Sequence, residues 1–194
     1  MGITGAGRSS FINAFGGGAK VGEGLESSTR DICMYIIRLP DELASEYPDL
    51  KSRRVALVDT PGFDGTSVVD LEIFARITEW VKNQYTRGVT VGGVIYMCDI
   101  GKGRVNGAAR VNVERFAKLL GGSNAFRRVV LVTTAWDGVE LDKGAKREQE
   151  LCSSFWKELI DGGAVVRRTK DLAGPRKPSG HVDVLRHILQ CLST

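Results

Sequence analysis

The sequence predicts an α/β fold in three layers, a mostly parallel sheet with helices on both faces. Two observations predict it. Short apolar runs alternate with stretches of helical spacing along all 194 residues, the pattern of strands linked by crossover helices. The run 128–133 is of the sort buried on both faces, as central parallel strands are. In such sheets ligands bind beyond the carboxyl ends of the strands, so the loops there are where function is sought.

Taken in order, residues 1–3 read as the end of a strand and 8–15 as a helix with Phe11, Ile12 and Phe15 on one side. Glycine-rich 16–24 reads as a loop, and 32–39 as a strand stopped by Pro40. Residues 41–51 read as a polar connection and 54–58 as a buried strand ending at Asp59. Spacing at Ile73, Ile77, Trp80 and Val81 predicts a helix over 69–85. An apolar strand over 91–98 leads to a helix over 109–120, with Val113, Phe116, Ala117 and Leu120 on one face. After the strand at 128–133, a helix over 143–160 carries Leu151, Phe155 and Leu159. A short strand at 164–166 and a helix over 181–192, with Val184, Leu185, Ile188 and Leu192 inward, close the alternation. The length fits one domain over 1–194.

Composition narrows the function classes. Hydrophobic residues make up 42% and charged residues 26%, enough to bury a core, and the net charge of +4 is far from that of a nucleic-acid coat. Cys33, Cys98, Cys152 and Cys191 are too dispersed for a metal clip or redox pair, and the first three sit in apolar stretches. A reducing compartment and a cytoplasmic location are expected. No apolar run approaches the about 18 residues of a membrane-spanning helix, and the N-terminus lacks signal-peptide regions.

The first strand-end loop carries the sharpest motif. Gly2, Ile3, Thr4, Gly5, Ala6, Gly7, Arg8 and Ser9 follow G-x-x-x-x-G-K-S/T with arginine in place of lysine. Glycines let the backbone wrap phosphate oxygens, and the amides of Gly5, Ala6, Gly7, Arg8 and Ser9 would point inward. The Ser9 hydroxyl is placed for Mg²⁺, with Ser10 beside it. Arginine is planar and forked where lysine is a compact point charge, so Arg8 would meet phosphate with different geometry. Glycine-rich turns before helices also occur without ligands.

The strand Val55, Ala56, Leu57, Val58 delivers Asp59, Thr60, Pro61 and Gly62. A carboxylate there can hold Mg²⁺ through water, opposite a phosphate-loop serine. Gly62 can bring its amide to a terminal phosphate, although Pro-Gly after a strand is also an ordinary turn. The third piece is Thr133, Thr134, Ala135, Trp136 and Asp137. One carboxylate can accept from both N1–H and the 2-amino group of guanine, an edge adenine lacks; Asp137 is the candidate, within the N/T-K-x-D pattern that includes Thr134. Ala135 stands where that pattern has lysine. Trp136 either lends stacking area to the base or packs in the core.

These segments, with Glu26, Ser27, Ser28, Thr29, Arg30 and Asp31 between them and Phe63 and Asp64 after Gly62, resemble fungal relatives of the septin, immune-associated and chloroplast Toc-receptor GTPases. The likeness spans nearly the whole chain, and the Thr-Thr-x-Trp-Asp segment points to this branch. It implies a P-loop NTPase fold binding GTP or GDP with Mg²⁺. Thr29 then matches the switch threonine that joins metal and γ-phosphate, the alternative being an ordinary loop hydroxyl. The last base-contacting loop would follow the strand at 164–166, near Arg168 to Lys170, where no motif is recognisable. The resemblance also implies a longer apolar strand before the phosphate loop, so the first strand reads as truncated and the chain as written is expected to fold marginally.

Where many GTPases carry a water-orienting glutamine, this chain has Phe63, so intrinsic hydrolysis is expected to be slow and the catalytic group is unassigned; Asp64, Thr66 and Ser67 are the nearby polar residues. The leading expectation is a guanine-nucleotide switch that, if active, hydrolyses GTP. The second is a scaffold without useful hydrolysis that forms homodimers across the nucleotide face, as relatives do. An ATP-binding protein is third, with Asp137 against it. Arg167, Arg168, Lys170, Arg176 and Lys177 lack interleaved aromatics and read as a solvated loop face rather than a nucleic-acid surface. His181 and His187 are expected in surface or capping roles.

Overall fold

The computed structural model describes residues 1–21, 31–50, 52–63, 67–102 and 126–193, with the side chains of 67–69 excepted. The expected helix over 109–120, the switch segment with Thr29, and Asp64 and Thr66 lie outside the described residues.

Helix α1 spans Arg8–Asn13, β1 Cys33–Ile37, α2 Asp41–Glu46, β2 Val55–Asp59, α3 Ser67–Thr86 and β3 Val94–Asp99. Then follow β4 Val129–Thr134, α4 Leu141–Glu150, α5 Lys157–Asp161, β5 Val165–Arg168 and α6 His181–Ser193. Strands β3, β4 and β5 form a parallel sheet in that order, and β1 pairs antiparallel with β2. Residues 1–3 join the two parts: Gly2 bridges Met97 and Ile3 bridges Phe63, both parallel. The Met97 N–H donates to Met1 O at 2.9 Å and the Phe63 N–H to Gly2 O at 3.1 Å. The sequence-predicted α/β class with a mostly parallel sheet is the observed one.

The side-chain period of two divides the core. Tyr96 and Cys98 of β3 and Val129 and Leu131 of β4 face one side, with Ile73, Ile77 and Val81 of α3 and with Trp156 and Leu159. Met97, Val130 and Val132 face the other, with Phe11 and Phe15, Leu43 of α2, and Val184, Leu185, Ile188 and Leu189 of α6. Every residue of β4 is buried, which its unbroken apolar run requires. Burial pushes the Cys98 thiol up to about 12, so this cysteine acts as a small core residue.

Three expectations are corrected. The polar connection at 41–51 contains α2 and a 3₁₀ turn at Pro48–Leu50. Its sequence looks polar because Leu43 is the buried anchor of the short helix. The single helix expected over 143–160 is interrupted by a π turn at Leu151–Phe155, closed by the Trp156 N–H on Leu151 O at 2.8 Å. The extra residue in that turn lets Leu151, Trp156 and Leu159 all reach the core. His181 is not a surface residue: it is buried with its ring 4.9 Å from that of Phe15.

Candidate functional site

The phosphate loop turns at Gly5 and Gly7, and Gly7 has φ 85°, the left-handed region where a side chain is strained. A Cβ at Gly7 would sit within 4.0 Å of Thr134 Oγ1 and 3.9 Å of Leu172 Cδ1, so the loop at 134–137, the candidate base loop, and the phosphate loop abut there. Ala6 is buried and Thr134 Oγ1 donates to Ala6 O at 3.0 Å, with Cys98 O at 3.4 Å. Thr134 is thereby a brace between β4, β3 and the phosphate loop.

Ser9 and Asp59 meet at the other side of the loop. The Ser9 hydroxyl donates to Asp59 Oδ2 at 2.8 Å. Asp59 is 2% exposed and its Oδ1 lies 3.5 Å from Arg8 Nε. Arg8 Nη1 donates to Gly2 O and Ile3 O, 2.7 Å each. Arg8 therefore pins the back of the loop and pairs with Asp59 in its present position. Ser10, on α1, is buried. Gly62 comes so close that a Cβ would collide with Thr4 Oγ1 and lie 2.9 Å from Arg8 Nη2. The Asp59–Gly62 corner is thus seated on the phosphate loop.

A hydroxyl and a carboxylate oxygen in contact beside a glycine-rich loop are a donor set suited to Mg²⁺, which commonly takes one or two protein oxygens together with phosphates and water. No cluster of three or more His, Cys, Asp or Glu able to hold a metal alone occurs among the described residues.

The base loop is held from below. Ala135 has φ 59° and Trp136 is buried, its Nε1 donating to Thr133 Oγ1 at 3.0 Å and toward Thr133 O at 3.3 Å. Thr133 Oγ1 donates to Glu148 Oε1 at 2.8 Å, Glu148 pairs with Arg168 through both carboxylate oxygens, and the Arg168 guanidinium lies 4.2 Å from the Trp136 ring centroid. Of the two readings of Trp136, this is the core one. Asp137 is exposed at the surface of the loop, and its Oδ2 accepts the backbone N–H of Asp171 at 3.0 Å.

Asp171 and Leu172 are the residues sequence reasoning missed. They follow β5 at the place where a base-contacting loop was expected without a motif. Asp171 has φ 55°, which turns its amide to Asp137. The signal was the strand-end position, immediately after Arg168 to Lys170. At the glutamine position, Phe63 is 1% exposed and packs in the core with Ile73, Ile77 and Tyr96.

Solved structures resemble this fold. Toc33 from Arabidopsis thaliana in complex with Mg²⁺ and GMPPNP is 16% identical, with all of this chain and 82% of that one aligned at a TM-score of 0.65. Its complex with GDP and Mg²⁺ is 15% identical over 98% of this chain and 81% of that one, TM-score 0.64. A bacterial selenocysteine-specific elongation factor is 17% identical over 99% of this chain but 28% of its own, TM-score 0.59. No curated protein sequence matches significantly. The family model described as the 50S ribosome-binding GTPase matches residues 1–134, across the phosphate loop, Asp59 and Thr134; the chain belongs to this P-loop GTPase family.

Proposed function

We propose that the chain is a guanine-nucleotide switch domain that binds GTP and GDP with Mg²⁺ and hydrolyses GTP slowly. The observation that carries the reading is the Ser9–Asp59 contact at 2.8 Å beside the phosphate loop. Bound Mg²⁺ would offset phosphate charge; Ser9 would give it a direct oxygen and Asp59 a second through water, with Thr29 as switch ligand. The amides of Gly5, Ala6, Gly7, Arg8 and Ser9, with Ser10 behind them, would bind the phosphates, and Gly62 would sense the terminal one. Thr134 would hold the base loop in place while Asp137 accepts from guanine.

Phe63 supports slow hydrolysis, because a buried phenyl ring cannot orient water. We place the chain in the septin-like, immune-associated and Toc-receptor branch on its Thr-Thr-x-Trp-Asp segment. In the second reading it is a scaffold that dimerises across the nucleotide face, a reading favoured by the same Phe63. We take nucleic acid to be no partner, since Arg168 is committed to Glu148 and Arg176 lies 3.7 Å from Asp171. A cytoplasmic location is part of this proposal; no helix among the described residues is long and apolar enough to cross a membrane.

The test is competition of GDP, GTP and ATP against a fluorescent GDP analogue with Mg²⁺ present or chelated. Displacement by guanine nucleotides and not by ATP is expected, and equal displacement by ATP overturns the base assignment. Turnover measured against protein concentration separates switch from scaffold.

A further inference from the structure

The loop has arginine where a lysine would reach the phosphates, and that arginine is engaged behind the loop with Gly2, Ile3 and Asp59. A lysine from another strand end stands at the loop's mouth. Lys102 is exposed, its Nζ donates to Thr4 O at 3.2 Å, and a Cβ on Gly5 would collide with that same Nζ. An ammonium carries three N–H donors; with one on Thr4, two can turn to phosphate oxygens.

This position is held by the turn that follows β3. Asp99 Oδ1 accepts the Gly101 N–H at 2.8 Å, and the Lys102 N–H donates to Asp99 O at 3.2 Å. Ile100 is buried and its N–H donates to Thr134 O at 3.1 Å. From α4, Arg147 Nη1 donates to Ile100 O at 2.8 Å and Gly101 O at 2.9 Å. The backbone that presents Lys102 is thus tied to β4 and α4, while its stem lies in solvent. Thr4 is also the residue on which Gly62 packs, so Lys102 stands at the terminal-phosphate end of the loop.

We propose that Lys102 is the residue that supplies the point charge for the β- and γ-phosphates, in place of the loop position occupied by Arg8. This rests on the guanine-nucleotide reading above. A compact ammonium delivered from β3 restores what the forked guanidinium does not provide.

Binding of GDP, GTP and GMP to the full chain is measured by displacement of a fluorescent GDP analogue, for the parent, Lys102→Ala and Lys102→Arg. Melting curves check that the variants fold, as an exposed side chain predicts. Lys102→Ala is expected to weaken GDP and GTP by about ten- to a hundredfold, the range for a hydrogen bond to a charged group. GMP, lacking the terminal phosphates, is expected to be unchanged, and Lys102→Arg, which keeps the charge but not the compact ammonium, to recover only part of the lost affinity. If the parent binds and Lys102→Ala binds GDP and GTP equally well, the proposal is wrong. If GMP weakens as much as GTP, Lys102 shapes the loop instead, which also overturns it. A parent that binds no guanine nucleotide rejects the underlying reading itself, a result distinct from either.

Discussion

The backbone N–H of Asp171 donates to Asp137 Oδ2 at 3.0 Å, linking the loop after β5 to the carboxylate at the end of the base loop. This contact uses one oxygen's lone pair and fixes the rotamer, leaving carboxylate lone pairs for N–H donors. Asp137→Ala is therefore expected to weaken GDP by about a hundredfold, two hydrogen bonds to a charged acceptor. IDP, which keeps N1–H but lacks the 2-amino group, makes one of those two bonds and should lose less. Parallel GDP and IDP titrations check this; equal losses for both would show that Asp137 supports the loop without reading the base.

Beneath that loop, Trp136, Thr133, Glu148 and Arg168 form a closed ring of contacts. Glu148 is largely buried, whereas the Arg168 side chain is about half exposed and can regain water. Glu148→Ala strands the Thr133 hydroxyl and frees Arg168 from its place over the indole. A loss of about 2 kcal/mol is expected, read as a lower denaturation midpoint in urea. Glu148→Gln keeps one acceptor oxygen, enough for the Thr133 hydroxyl and Arg168 Nε, but turns an NH2 toward Arg168 Nη2, and should fall between.

Most of this framework was legible because periodicity and strand-end motifs are local signals. The strands around Val58, Met97 and Leu131, and the helices carrying Ile77 and Ile188, follow from apolar spacing alone. Helix α2 was not legible, since one buried leucine in a six-residue element leaves no period to detect. The π turn was invisible for a related reason: its residues keep helical composition while the register shifts by one. At the candidate site, the motif residues are picked out by type and order. The engagement of Arg8 with Gly2, Ile3 and Asp59, and the arrival of Lys102 and Asp171 from other strand ends, are products of tertiary packing that no local pattern encodes.

Gly62 separates steric from conformational demands on glycine. Its φ lies outside the left-handed region, yet a Cβ would overlap Thr4 Oγ1 and lie 3.0 Å from Thr4 Cα. Gly62→Ala must push the Asp59–Gly62 corner off the phosphate loop, at about 1–3 kcal/mol for overpacking. Nucleotide affinity should fall with stability. Gly138→Ala is the control, because nothing lies within 4 Å of a Cβ there. Melting and GDP titration of both variants check the contrast; equal behaviour would remove the steric argument.

The Met1 α-amino group donates to Ile95 O at 2.8 Å, on a residue that is itself half-buried. Burial, and then the Arg8 guanidinium, lower its pKa from 8.0 to about 5, with the Asp59 carboxylate opposing. Between those values the unfolded chain holds a proton that the folded chain lacks. Stability therefore rises with pH across this window: the penalty is complete below pH 5 and gone above pH 8. His181 adds the same sign, since burial lowers its pKa against the pull of Glu42 and Asp183. The rise from pH 5 to 8 is expected to reach up to about 4 kcal/mol from Met1. Urea unfolding at stepped pH checks it. Repeating the series on a chain lengthened by about six apolar residues before Met1, a strand of ordinary length, replaces the amine with a peptide N–H. That variant should lose most of the slope; an unchanged slope would assign the pH dependence to His181 instead.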